Sequence, residues 1–212
     1  MLKKLILITL IGASIMSCNP KEVLEDPSTN KNEVVAVVTT NKGNIVLEFY
    51  PDIAPKHVES FITHAENGYY DGTTFHRVIP EFMIQGGDPN SKNEDRRMHG
   101  MGGHAGKYYD IGDENNSKSW MLPEEFSPTL HNRGILSMAR SQDVNSAGSQ
   151  FFICVADAQF LNNNYTVFGK VIKGMDFVDQ IVDSPRDQGD NPLERIEMKI
   201  KIVLRSSVEG LE

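Results

Sequence analysis

Between Thr74 and Asp88 the chain reads Thr-Phe-His-Arg-Val-Ile-Pro-Glu-Phe-Met-Ile-Gln-Gly-Gly-Asp. One guanidinium (Arg77), one aromatic ring (Phe82), one thioether (Met83) and one amide (Gln85) fall within this short, strand-like stretch. Arginine stays protonated at every accessible pH and presents a planar fork of donors. Fixed beside apolar side chains, such a fork can stabilise electron density that develops only in a transition state. The sequence carries no Ser-His-Asp or Cys-His arrangement, so nucleophilic catalysis finds no support. Chemistry here would be electrostatic and steric rather than covalent, with no cofactor and no metal.

Two further runs accompany this one: Gly134-Ile-Leu-Ser-Met-Ala-Arg140 and Gly148-Ser-Gln-Phe-Phe-Ile-Cys154. The elements that must position them are mostly strands. Val34–Val38 is β-branched, and Asn41-Lys42-Gly43-Asn44 turns it into Ile45–Phe49, a hairpin by composition and turn chemistry. Val58, Phe61, Ile62 and Ala65 recur at spacings of three and four, which predicts a helix from Pro55 to Asn67, ended by Gly68. Strands are predicted over Thr73–Ile79, Phe82–Gln85, Ile135–Arg140, Gln150–Val155 and Thr166–Ile172, with a second helix over Gly174–Val182. Ile196 to Leu204 alternates apolar and mostly charged residues, the pattern of a half-buried strand. Many strands with two helices and no repeat indicate a mainly-β protein, a closed antiparallel barrel with capped ends.

The three runs, in this order, resemble the cyclophilins, peptidyl-prolyl cis/trans isomerases. The resemblance covers residues 33–205 and implies an eight-stranded barrel with a helix over each opening. It implies an enzyme that rotates X–Pro bonds, with Arg77, Phe82 and Gln85 as catalytic residues. Met83, Phe152, Phe160, Leu161 and Tyr165 would form the apolar grip on proline, while Gln150 and the backbone at Ala139 and Arg140 hold the preceding residue. Phe160 and Tyr165 stand where the best-known eukaryotic members carry tryptophan and histidine. That tryptophan donates a hydrogen bond to cyclosporin, and phenylalanine has no donor. The alternative is a cyclophilin-like scaffold or holdase with weak isomerase activity. Its partners would be proline-containing polypeptides, and it is expected to work as a monomer.

Outside these motifs, Lys3 and Lys4 precede an apolar stretch, Leu5 to Met16, too short to span a bilayer comfortably. It ends in Ile15-Met16-Ser17-Cys18, which resembles a bacterial lipobox. Residues 1–17 are thus expected to be a signal peptide. Residues 18–32 would be a flexible tether lipidated at Cys18, and residues 33–208 the isomerase domain. The expected location is the bacterial cell envelope, exported and lipid-anchored, with the outer membrane favoured because Asn19 is not the aspartate that retains enteric lipoproteins at the inner one.

With Cys18 lipidated, Cys154 would have no disulfide partner and behave as a small buried hydrophobe. A formal charge of −8 on 212 residues argues against nucleic acid. The segment Pro89–Pro123 is long and irregular. Its Met98, His99, Met101 and His104 invite a metal reading, but a glycine-rich loop preorganises nothing and the spacing matches no known site. The segment reads instead as a solvated insertion. His57 and His64 are expected at exposed or boundary positions, and His76 and His131 as satisfied structural histidines.

Overall fold

The computed structural model describes residues 34–211. The predicted signal peptide and the tether, with Cys18, lie outside the described residues. Among the described residues are eight strands: β1 (Val34–Thr40), β2 (Asn44–Phe49), β3 (Arg77–Ile79), β4 (Met83–Gly86), β5 (Ile135–Met138), β6 (Phe151–Cys154), β7 (Val167–Lys173) and β8 (Met198–Leu204). Helix α1 (Pro55–Glu66) follows β2, and α2 (Met175–Val182) follows β7. All pairings are antiparallel, in the order β3-β4-β6-β5-β7-β2-β1-β8.

This arrangement corrects the expected closed barrel: the sheet is a curled half-barrel whose end strands, β3 and β8, share no ladder. The seam between them is spanned by the Thr74–Glu197 bridge and its flanking bonds, Phe75 N–H to Ile196 O at 3.0 Å and Met198 N–H to Thr73 O at 2.8 Å. Just beyond, β3 turns to pair with β4, and Val78 N–H donates to Asp190 O at 2.8 Å. A loop therefore takes the outer edge of β3 before β8 can reach it. Covering an edge in this way also removes a template for unwanted pairing.

The concave side is filled from strand positions of one parity and from the helices. Phe61 of α1 inserts among Tyr70, Phe151, Phe49 and Phe168, with ring centroids 5.1 to 5.6 Å away, in tilted or edge-on arrangements that suit aromatic quadrupoles. Pro55 opens α1 without forfeiting a hydrogen bond, because the first helical N–H groups have no partner within the helix. The carboxylate of Glu125 takes up the exposed N–H groups of Lys56 (3.1 Å) and His57 (3.0 Å). On α2, Val178, Ile181 and Val182 are buried. Gly43 at the β1–β2 tip has φ +145°, and a Cβ there would lie 2.6 Å from the Phe177 ring, so glycine is required both for the turn and for docking of α2.

His57 and His64 are not exposed: both are buried, spaced to lie on the inward face of α1. His57 Nδ1 lies 2.7 Å from Glu125 Oε2, and His64 Nε2 lies 2.8 Å from His104 O while its ring stacks on Tyr69 at 3.9 Å. His76 is buried too, but neither ring nitrogen has a hydrogen-bond partner among the described residues, so it is not the satisfied histidine expected.

Nor is the long insertion a solvated loop. It contains 3-10 turns at Pro89–Lys92, Arg96–Met98 and Ser117–Ser119, and it sends Ala105 and Leu122 into the core. Arg96 clamps it to the segment before β8, donating to Asp187 Oδ2 (3.1 Å), Asn191 O (3.4 Å) and Leu193 O (2.8 Å). His99 lies 2.9 Å from Asn191 Nδ2 through Nδ1 and 2.8 Å from Asn93 O through Nε2. Both of its nitrogens are thereby engaged within the protein, and His104 stands in the separate cluster around His64.

Candidate functional site

Side chains alternate across a strand, and this alternation builds the site on the outer face of the sheet. Val78, Ile84, Phe151, Ile153, Leu136 and Met138 belong to the core. Their neighbours point the other way. Strand register sets Arg77 opposite Gln85, Gln85 opposite Phe152, and Phe152 opposite Ser137, a single row across β3, β4, β6 and β5. A second row pairs Ile79 with Met83 and Met83 with Cys154.

On this face Met83, Phe152, Cys154, Ala158 and Leu161 form a second apolar cluster, with Ile79, Phe82, Ala139 and Tyr165 partly buried against it. They leave a slot of about 150 Å³ lined by Arg77, Phe82, Met83, Gln85, Ala139, Arg140, Phe152, Leu161 and Tyr165. The structure thus brings together all but two of the residues singled out from the sequence. Phe160 is at the rim instead, 69% exposed and with its ring 5.2 Å from that of Phe82. Gln150 lines the adjoining recess of about 290 Å³.

A hydrogen-bonded chain orders the polar side of the slot. Arg77 Nη1 donates to Gln85 Oε1 (3.3 Å), and Gln85 Nε2 donates to Gln150 Oε1 (2.9 Å). Gln150 Nε2 donates to Gly100 O (2.9 Å) and Gly102 O (2.7 Å). An amide carries two hydrogens, so both of Gln150's are committed to the insertion while Gln85 keeps one for an incoming group. Arg140 is likewise engaged: it donates to Asn164 O and Ser141 O, and its guanidinium lies 4.6 Å above the Tyr165 ring. The wall at Arg140 therefore offers backbone rather than free charge.

Behind the slot, burial, reinforced by Asp157, pushes the Cys154 thiol up to about 12, so it packs as a neutral group. His131, which the sequence suggested only as structural, stacks on Phe152 at 15° between planes. It reaches Ser137 Oγ at 3.0 Å, and Ser137 Oγ donates to Thr166 O at 2.9 Å. It props the phenylalanine that forms the slot's floor. The Gly100 and Gly102 carbonyls were also missed from the sequence, because no side chain marks them.

An exposed guanidinium, an amide with a spare donor and an aromatic-floored slot define a polypeptide-binding face that acts without covalent chemistry. The family described as cyclophilin type peptidyl-prolyl cis-trans isomerase/CLD matches residues 34–202. The chain is 44% identical over 151 residues to a Brucella abortus (strain 2308) protein named "Probable peptidyl-prolyl cis-trans isomerase", covering 70% of this chain and 71% of that one. It is 39% identical over 163 residues to "Peptidyl-prolyl cis-trans isomerase 9" of Schizosaccharomyces pombe, covering 75% of this chain and 23% of that larger protein. Among solved structures, a Cryptosporidium parvum cyclophilin type peptidyl-prolyl cis-trans isomerase, crystallised in the presence of the dipeptide Ala-Pro, superposes with a TM-score of 0.68 at 32% identity, over 80% of this chain and 98% of that one. The chain belongs to the cyclophilin-type peptidyl-prolyl cis-trans isomerases.

Proposed function

We propose that the slot receives the proline ring of an X–Pro segment and that Arg77 acts on the twisted imide. The barrier to rotation is ~18–20 kcal/mol and exists because the nitrogen lone pair is delocalised into the carbonyl. As the bond twists, the nitrogen becomes pyramidal and recovers that pair. A donor aimed at it binds the twisted form and not the planar one, which is the condition for lowering the barrier. Phe82, Met83, Phe152, Leu161 and Tyr165 hold the ring and exclude water while the preceding carbonyl swings. The spare donor of Gln85 and the backbone at Ala139 and Arg140 hold the residue before proline.

The single observation that carries this reading is the row Arg77–Gln85–Phe152, which puts a charge, a donor and an aromatic floor side by side. The Ala-Pro dipeptide present with the Cryptosporidium relative supports proline as the recognised residue. In the cell the substrates are unfolded envelope proteins, in which uncatalysed isomerisation takes about tens to hundreds of seconds and limits folding. Lys3, Lys4, the apolar stretch and Ser17-Cys18 support a lipid anchor at Cys18, and Asn19 after it favours the outer membrane. A proline-tetrapeptide assay on the wild type and on Arg77→Ala tests the catalytic reading: equal rates would turn the face into a scaffold. Detergent partitioning of the full chain and of Cys18→Ala tests the anchor, which fails if both remain in the aqueous phase.

A further inference from the structure

On the side of Arg77 away from Ala139 lies a second recess, open and about 670 Å³ in volume, which shares Arg77 and Gln85 with the slot. Its other walls come from the insertion and from the loop before β8. Three guanidinium groups line it, those of Arg77, Arg96 and Arg97; Asp187 pairs with Arg96 and Asp95 with Arg97, which leaves Arg77 with no carboxylate partner among the described residues. One uncompensated positive charge thus faces the recess, on a chain whose formal charge is −8.

The three arginines are engaged to different degrees. Arg96 is held by Asp187 and by two backbone carbonyls, so it stiffens the wall. Arg97 is 87% exposed; Asp95 engages its Nε and Nη2 at 2.8 Å each, and its Nη1 has no partner among the described residues. Among the described residues Arg77 makes one side-chain hydrogen bond, to Gln85. Opposite them, Gln188 makes no hydrogen bond through its side chain among the described residues and adds a neutral donor to the lining. The buried imidazole of His76, whose nitrogens have no hydrogen-bond partner among the described residues, forms part of the wall nearest Arg77.

We infer that this recess is a substrate subsite selecting an acidic side chain, aspartate or glutamate, at one of the two positions that follow the proline. This inference rests on the proposed seating of proline in the slot. With the preceding residue held at Ala139, the chain leaving the proline passes Arg77 into the recess. A peptide carboxylate there meets the free donors of Arg97 and Gln188 without displacing the Arg96 clamp. The pairing is solvent-exposed, so its contribution is modest and weakened by salt.

The test uses blocked peptides of one sequence that carry glutamate, glutamine or lysine at either position after the proline. NMR exchange spectroscopy reads isomerisation with no requirement for a coupling protease, and a titration of chemical shifts reads binding. The glutamate peptide is expected to bind and exchange about threefold to fivefold better than its glutamine counterpart at low ionic strength. The advantage should vanish near ~0.5 M salt. Arg97→Glu and, separately, Gln188→Glu should abolish the preference or turn it towards lysine; both residues sit outside the core.

Equal behaviour of the glutamate and glutamine peptides, or a preference that survives Arg97→Glu, would overturn the subsite. If all peptides are accelerated alike, the subsite fails and the isomerase reading stands. If binding favours glutamate and no exchange is accelerated, the subsite stands and the catalytic reading fails. If no peptide binds or is accelerated, both fail.

Discussion

Replacing Arg77 by alanine is the perturbation whose size the geometry bounds most closely. A preorganised donor directed at a developing charge contributes about 2.7–4 kcal/mol, or about two to three decades in rate. Arg77 falls at the lower end. Its fork is fixed by one hydrogen bond of 3.3 Å, longer than the usual ~2.9–3.0 Å, and the side chain is exposed, where water competes for the same donors. Arg77→Ala should therefore lose about a hundredfold in kcat/KM. If the interaction is made with the twisted bond alone, as proposed, the loss should fall on kcat, with KM little changed. Arg77→Lys keeps the charge but not the planar fork, and should recover no more than about tenfold.

The control is built into the strand. Arg77 points outward, and its neighbour Val78 carries the core contacts, so thermal unfolding of both variants should match the wild type. Tetrapeptide turnover coupled to a protease specific for the trans isomer gives the rate. An alanine variant within about threefold of the wild type, with its unfolding curve unchanged, would refute the electrostatic argument and assign the acceleration to the apolar slot.

Three further outcomes follow from the same geometry. Gln85→Leu removes the acceptor for Arg77 and the donor to Gln150 while keeping the side chain's bulk, so kcat should fall about tenfold; a change confined to KM would show that Gln85 only binds. Stability should decline on mild acidification, because burial lowers His64 and His76 to about 4, opposed only in part by the His104 carbonyl and by Asp88 respectively. An unfolded histidine titrates near ~6.5, so between roughly pH 6.5 and pH 4 the unfolded chain binds protons that the native one refuses. Urea unfolding should give full stability above that window and a loss of up to about 1.4 kcal/mol per histidine per pH unit within it; a flat profile would contradict both assignments. Cyclosporin A should inhibit weakly, since Phe160 offers no donor at the rim, and Phe160→Trp should tighten inhibition by about tenfold; nanomolar inhibition of the wild type would oppose this.

What could be read from the sequence was whatever repeats locally. Strands and helices came within a few residues of their observed limits because alternation and three-four spacing are properties of a single segment. The slot was legible because all of its lining but Leu161 and Tyr165 sits in three uninterrupted runs. Long-range partnerships were not legible. His57 and His64 occupy the stripe of α1 that also carries Phe61, but their polarity hid this until Glu125 and the His104 carbonyl supplied partners from far along the chain. The insertion looked unstructured because the groups that order it, Asp187, Asn191 and Leu193, lie some ninety residues further on. The open seam was hidden for the same reason, since the bond from Val78 to Asp190 belongs to no strand pattern.

The insertion also bears on how the slot keeps its shape. Gln85 would swing freely if its amide were held only by Arg77, an exposed group. It is held instead by Gln150, whose two amide hydrogens end on the carbonyls of Gly100 and Gly102. Gly100 is fixed in turn: Asp88, buried just beyond β4, accepts from its N–H, and Asn90 Nδ2 donates to the nearby Met98 O at 3.2 Å. The orientation of the guanidinium thus depends on a segment that never enters the slot, and the same segment supplies Arg96 and Arg97 to the neighbouring recess. A change in the insertion that released Gly100 and Gly102 would remove both bonds that hold Gln150, and should slow catalysis with every contact inside the slot left intact.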